Sequence, residues 1–193
     1  MKHGYQVVVG SDHPEKVAEL KKENPGLEAV SFELCAKSAD IVILCVKGTA
    51  AEKIIQKVKR ELSGKIVIDA TNPIADAPPQ NGVLKYFTSL DESLMERLQN
   101  IAPDVHFVKG LNSIGNAFMD SPDFGGIKPT MFICGNNDGA KRRVSEILGE
   151  FGFEVEDMGM AESARAIEPL AILWCIPGLL KNEWMHAFKL LKK

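Results

Sequence analysis

Short, unbroken runs of β-branched and other apolar residues recur along the chain and limit its fold more than any other feature. Tyr5–Gly10, Ile41–Val46, Ile66–Ala70, Val105–Val108 and Met131–Cys134 are such runs, and Glu154–Asp157 is a weaker one. A strand covered on both faces reads as continuously apolar rather than alternating, so these runs predict a mainly parallel sheet. Helix signals lie between them. Pro14 suits a first helical turn ahead of Val17 and Leu20. Thr49 and Glu52 have capping-box spacing before the stripe Ile54, Ile55, Val58 and Leu62, with Gly64 as the stop. Asp138 opens a helix with Ala140, Val144, Ile147, Leu148 and Phe151 on one side, and Gly152 closes it. Two helices are expected at the end, over about 161–191. The first, Ala161–Cys175, should kink at Pro169, and the second, Leu179–Leu191, is amphipathic through Leu180, Trp184 and Phe188. This alternation gives an α/β fold with helices on both faces of the sheet.

At 193 residues the chain is expected to form one domain spanning 1–193 with a real core. Its net charge of −3 is unclustered, which excludes a basic footprint for nucleic acid. Glu168 and Pro169 interrupt the most apolar stretch, so no membrane-spanning helix is expected, and the opening residues lack the pattern of a secretory signal. Cys35, Cys45, Cys134 and Cys175 are widely spaced in apolar contexts, as buried free thiols of a reducing cytoplasm would be. No spaced His/Cys cluster suggests a metal.

Ligands of open parallel sheets bind beyond the carboxyl ends of the strands. Four segments fall there: Gly10-Ser-Asp-His-Pro14, Val46-Lys-Gly-Thr49, Ala70-Thr-Asn-Pro73 and Lys109-Gly-Leu-Asn-Ser-Ile-Gly115. Their Gly, Ser, Thr and Asn content lets backbone approach a phosphate or a flat ring, although each loop alone reads equally as turn chemistry.

The order of these segments carries a resemblance. Gly10-Ser11 after a short strand, Gly64-Lys-Ile-Val-Ile-Asp-Ala-Thr-Asn-Pro-Ile74, Val108–Gly115, Asp157-Met-Gly159, Ala164–Leu170 and His186–Leu191 together resemble the coenzyme F420-dependent NADP oxidoreductases. That fold recurs in the reductase domain of the six-transmembrane metalloreductases. The resemblance implies a Rossmann-like domain that binds NADP and moves a hydride between it and a deazaflavin (coenzyme F420) or a flavin. It places Gly10, Ser11, Asp12, His13, Val46, Lys47, Asn72, Pro73, Asn112 and Ser113 around the cofactor. Asn72 and Asn112-Ser113 fall near the nicotinamide and its acceptor, with Pro73 keeping Asn72 extended.

One element of the family pattern is missing. Such proteins open with a strand, a G-x-G-x-x-G/A turn and a helix, and no G-x-G-x-x-G occurs here. Met1–Tyr5 reads as the end of a first helix, so a βα unit of about 20–25 residues is expected to be absent. In the strand order 3-2-1-4-5-6, its loss opens a central gap of about 9–10 Å, two strand spacings. Direct pairing across that gap, a strand from another chain or low stability are the expected consequences, and self-association as a homodimer follows from the second.

Asp12 stands where the family usually has an arginine against the 2′-phosphate. A carboxylate repels phosphate but accepts from a free 2′-OH, which favours NAD; alternatively Asp12 caps the helix with Glu15. His13 or Lys16 could restore positive charge. Glu168, on a small-residue apolar stripe, is expected to be paired, with Arg165 as a candidate partner, or else to have a raised pKa, and His186 to face solvent or a dimer contact. No Tyr-Lys or Lys-Asp pair marks a general acid for ketone reduction, which favours transfer between cofactor rings. Three functions follow in order: hydride transfer between a nicotinamide nucleotide and a deazaflavin or flavin, a non-catalytic truncated nucleotide-binding or interaction module, and reduction of an imine or small carbonyl.

Overall fold

The computed structural model describes residues 3–193. Met1 and Lys2, read above as the end of a helix, lie outside the described residues; Gly4 turns the chain at φ 80°. Among the described residues the strands are β1 (Val8–Gly10), β2 (Glu28–Val30), β3 (Ile41–Leu44), β4 (Ile66–Asp69), β5 (His106–Lys109), β6 (Thr130–Ile133) and β7 (Glu154–Asp157). The helices are α1 (Pro14–Glu23), α2 (Phe32–Ser38), α3 (Gly48–Val58), α4 (Leu94–Ile101), α5 (Asp138–Glu150), α6 (Ala164–Ile167) and α7 (Leu170–Lys181). This is the expected α/β alternation with parallel strand pairing.

The strands form three parallel ladders, β1 with β2, β3–β4–β5, and β6 with β7. One antiparallel bridge, Lys109 to Cys134, ties β5 to the segment after β6. Consecutive residues of β4 face opposite layers. Val67 packs with Ala51, Ile55 and Val58 of α3 and Leu98 of α4. Ile68 packs with Val144 and Leu148 of α5. Helices therefore cover both faces, as continuous apolar strands require. Between β1 and β3 there is no direct pairing, and a cavity of about 920 Å³ lies there.

Several local expectations are corrected. Helix α3 starts at Gly48, with Lys47 as N-cap and no side-chain cap, so Thr49 lies inside the helix, and Glu52 reaches Arg97 at 3.4 Å. It ends at Val58 rather than at Gly64, which lies in the following turn with φ 74°. The helix over Ala161–Cys175 breaks at Glu168-Pro169 as expected, but the second helix expected over Leu179–Leu191 does not form: its first three residues end α7 and the rest is not helical. Asn182 enters the left-handed region at φ 58° and ends α7. The tail then runs extended beside β6: Thr130 N–H donates to Phe188 O at 2.9 Å, and Leu190 N–H to Thr130 Oγ1 at 3.0 Å. Its lysines serve ion pairs rather than a helix dipole, Lys189 with Glu154 at 2.5 Å and Lys192 with Glu156 at 2.6 Å.

Ala161–Lys181 is long and apolar enough to cross a membrane by length and composition, contrary to expectation. In this fold its Ala161, Ala164, Ile167, Ala171 and Trp174 are buried in the protein. The cysteines also differ from expectation. Cys134 is buried, with burial pushing its thiol up to about 12, whereas Cys35 and Cys175 are half-buried and Cys45 is exposed.

Candidate functional site

Nine of the ten sequence-predicted residues lie in the segments that follow β1, β3, β4 and β5, and the tenth, Gly10, ends β1. Gly10 ends β1 against α2, where an added Cβ would stand 2.8 Å from Cys35 Cβ. The next residues turn outward. Ser11 Oγ accepts from the His13 N–H at 3.2 Å, and His13 is the exposed N-cap of α1, with its ring 3.3 Å from Glu15. Asp12 is not the cap. Its carboxylate accepts from Phe32 N–H at 3.2 Å and from Lys57 Nζ at 2.7 Å. Lys57 also pairs with Glu33 at 2.9 Å. The lysine, seconded by the Phe32 amide, holds the Asp12 pKa below its ordinary value. The cation beside Asp12 is thus Lys57, which the sequence did not reveal because it lies on another helix.

At the other end of the site the loops interlock. Val46 is half-buried and lines the cavity beside β3, and Lys47 is exposed. Gly48 is pressed against the next loop so closely that a Cβ would collide with the Asn72 carbonyl. Asn72 Nδ2 donates to Asn112 O at 2.7 Å, and Asn112 Nδ2 donates to Asn72 Oδ1 at 3.2 Å and to Ile167 O at 3.1 Å. Pro73 O accepts from Phe87 N–H at 2.9 Å, and Ser113 is buried beside Asn112. Leu111 stands at φ 61°, a conformation costly for a side chain of its kind, and this bend turns Asn112 toward Asn72. One polar atom in this knot is unanswered: Asn112 Oδ1 is buried without a hydrogen-bond partner among the described residues. Ser11, Asp12 and His13 are not part of this knot; they belong to the rim beside α1.

Beneath the knot lies a buried ionic cluster that sequence reasoning missed. Lys109 Nζ sits 2.6 Å from Asp69 Oδ2, 2.9 Å from Glu168 Oε1 and 2.9 Å from Thr71 O, all without solvent contact. Burial disfavours the ammonium, but the Asp69 and Glu168 carboxylates outweigh it and hold the Lys109 pKa above its ordinary value. Glu168 also accepts from the Leu94 and Met95 N–H groups at 3.0 and 3.1 Å, at the positive end of the α4 dipole. Thr71 N–H and Oγ1 donate to Asp69 Oδ1 at 2.9 and 2.6 Å. The expected partner of Glu168, Arg165, bonds Glu96 instead. His186 is half-buried; its Nε2 lies 2.9 Å from Trp174 O, and Trp174 Nε1 donates to His186 O at 3.0 Å. Among the described residues no group of three or more His, Cys, Asp or Glu is placed to hold a metal ion.

Comparison with known proteins matches this architecture. The family model for NADP oxidoreductase, coenzyme F420-dependent, matches residues 1–73. F420-dependent NADP reductase of Methanocaldococcus jannaschii is 28% identical over 179 residues, covering 87% of this chain and 79% of that protein. The chain is similar to the F420-dependent NADP oxidoreductases, over residues 1–73 by the family model and over most of its length by this relative. This oxidoreductase family uses NADP and coenzyme F420. Metalloreductase STEAP3 of Rattus norvegicus is 32% identical over 181 residues; the match covers 92% of this chain but 34% of the rat protein, so the chain spans about a third of that relative. A solved structure of a candidate F420-dependent NADP reductase from Arthrobacter sp. FB24 superposes with a TM-score of 0.91 at 24% identity, over 99% of this chain and 90% of that one. That likeness shows the Rossmann-like fold of the family.

Proposed function

We propose that the chain exchanges a hydride between a nicotinamide dinucleotide and a deazaflavin or flavin held over the loops after β3, β4 and β5. The observation that carries this reading is Asn112 Oδ1, a buried acceptor with no donor among the described residues. Leaving such a group unsatisfied costs roughly 1–3 kcal/mol, and a carboxamide or ring N–H supplies the missing bond. When bound, the two rings supply the redox chemistry. The protein's share is orientation: Asn72 and Asn112 fix each other's carboxamides, Leu111 holds the bend, and Gly48 lets the β3 loop lie against Asn72. Hydride exchange between two ring carbons would need no side-chain acid at the reacting atoms, and the proton that balances reduction of the acceptor ring would come from solvent.

At the adenosine rim, Asp12 and Glu33 share the single cation Lys57, which leaves a local excess of one negative charge. That balance supports a free ribose hydroxyl over a 2′-phosphate, and so NAD over the NADP of the family. Titration of NADH and NADPH by nicotinamide fluorescence tests both ends. Wild type is expected to prefer NADH, Asp12→Arg to shift the preference at least tenfold toward NADPH, and Asn112→Ala to weaken both without changing their ratio. Turnover with a deazaflavin acceptor against a simple imine or carbonyl distinguishes ring-to-ring transfer from carbonyl reduction. If neither nucleotide binds at millimolar concentration, the hydride-transfer reading fails and a non-catalytic module takes its place.

A further inference from the structure

We propose that Lys109 is a positioning residue for the nicotinamide end of the site: its ammonium holds Thr71 O and the Glu168 carboxylate together, and through them it sets the main chain of Asn72 and the carboxamide of Asn112. The proposal rests on the nicotinamide reading above. A lysine carries three donors and no acceptor, and Lys109 Nζ meets three acceptors: Asp69 Oδ2 at 2.6 Å, Glu168 Oε1 at 2.9 Å and Thr71 O at 2.9 Å. All four residues are buried. The two carboxylates already outnumber the ammonium. The third bond goes instead to a main-chain carbonyl one residue from Asn72.

Two routes lead from this ammonium to the paired carboxamides. The first runs along the chain. Thr71 N–H and Oγ1 donate to Asp69 Oδ1 at 2.9 and 2.6 Å, and Thr71 O accepts from Lys109, so the residue is tied on both sides. The peptide that follows is planar and trans, and a carbonyl turned to Lys109 turns Asn72 N–H away from it. No group among the described residues accepts from that N–H, whereas Asn72 O accepts from Ile74 N–H at 2.8 Å. The second route crosses the fold. Glu168 meets Lys109 with its carboxylate, and the carbonyl just before it, Ile167 O, accepts from Asn112 Nδ2 at 3.1 Å. Tyr86 OH donates to Glu168 O at 2.8 Å and fixes the same turn. Without the cation, three acceptor oxygens converge on one buried point with no donor between them. Asp69 belongs to β4 and Glu168 is bound to the first amides of α4, so the loop of Thr71 and Asn72 is what yields. That loop matters because of what it leaves open. Asn72 N–H and Asn112 Oδ1 are one donor and one acceptor, the complement in type of a primary carboxamide such as that of nicotinamide.

The test separates positioning from stability. In the triple variant Lys109→Met/Asp69→Asn/Glu168→Gln the buried charges leave together, and methionine at 109 gives Thr71 O no donor. Isothermal titration calorimetry compares NADH with ADP-ribose, which lacks the nicotinamide. Wild type is expected to bind NADH more tightly than ADP-ribose. The triple variant should lose about tenfold or more in NADH affinity and less than about twofold in ADP-ribose affinity, the second value reporting an intact fold and adenosine rim. Leu62→Ala, at a buried position by the amino ends of the strands, is the stability control: it should lower the melting temperature and leave the ratio of the two affinities unchanged. Without any nucleotide, hydrogen exchange of the Asn72 and Asn112 side-chain amides, followed by NMR, should quicken about tenfold in the triple variant and not in Leu62→Ala. Equal losses for NADH and ADP-ribose, or an unchanged NADH affinity, overturn the proposal, and unchanged exchange overturns it whatever the affinities are. If wild type binds neither compound, or NADH no better than ADP-ribose, the nicotinamide reading fails and exchange alone decides. Quickened exchange then leaves Lys109 as the group that holds the Asn72–Asn112 pair.

Discussion

The β3–β4–β5 ladder and the β1–β2 ladder share one construction, parallel strands with helices over them, yet they are held by different means. Three of the four residues in each of β4 and β5 are buried, and the carboxyl ends of these strands meet in the Asp69–Lys109–Glu168 cluster. No residue of β1 is buried, α1 buries none either, and the charges nearby, Asp12, Glu33 and Lys57, are open to solvent. Electrostatics therefore acts in opposite senses. In the first ladder the three charges of the cluster have been taken out of water and depend on one another; in the second Asp12, Glu33 and Lys57 can return to water at little loss. One half of the sheet is closed by its own residues, and the other retains an unpaired edge.

The sharpest test exchanges the central cation of each half. Lys109→Met leaves Asp69 and Glu168 buried without their counter-charge, and urea denaturation should show a loss of about 3–5 kcal/mol. A triple variant that also carries Asp69→Asn and Glu168→Gln should recover much of that loss, since the uncompensated charges go with the ammonium. Lys57→Met in the open half should leave the urea midpoint unchanged. A Lys109→Met variant as stable as wild type would erase the contrast between the ladders.

A smaller difference is expected at the two glycines that stand where strands meet loops. Gly48 backs onto the Asn72 carbonyl, a backbone group that cannot yield without moving the loop that carries Asn72. Gly48→Ala should cost about 1–3 kcal/mol in thermal unfolding and weaken nucleotide binding with it. Gly10 backs onto the Cβ and Sγ of Cys35, on a short helix beside the cavity between β1 and β3, so Gly10→Ala should cost less. Equal losses would mean that the β1 half is as tightly built as the β3 half.

What could be read from sequence follows the same division. The apolar runs of β3, β4 and β6 were legible because a strand buried on both faces leaves no room for polar residues. Strand β2, Glu28-Ala-Val30, was not, since a three-residue strand at the thinly covered edge needs no apolar run. Helix α4 carried a signal that passed unread: Ser93 and Glu96 form a true capping box, with Ser93 Oγ accepting at 3.1 Å and Glu96 Oε2 accepting from Ser93 N–H at 2.8 Å. The tail was misread because Trp184, Phe188 and Leu191 have helical spacing, while the contact that decides, Thr130 with Phe188 and Leu190, joins residues about sixty apart. Asn72 and Asn112 could be named from their loops. The Lys109 cluster could not, because its members share no spacing and meet only through the fold.

The finest test concerns pH and a pair that belongs to neither extreme. Arg165 bonds Glu96 in two places, at 2.5 and 3.0 Å, and with help from Ser93 it lowers the Glu96 pKa to about 2. A carboxylate whose pKa falls on folding contributes stability above its unfolded value and loses it as pH drops toward the folded one. The Glu96 contribution should thus be full at neutral pH and fade between about pH 5 and pH 2. Arg165 is 38% exposed, so solvent screening limits the effect to on the order of 1 kcal/mol. Glu96→Gln should be less stable than wild type at pH 7 by that amount, and the two urea midpoints should converge as pH falls toward 2. Because Glu96 caps α4, whose first amides also hold Glu168, the same substitution in a Lys109→Met background tests whether the surface pair and the buried cluster are coupled. Additive losses would place the boundary of the closed half at the start of α4; a loss beyond additivity would extend it to Arg165.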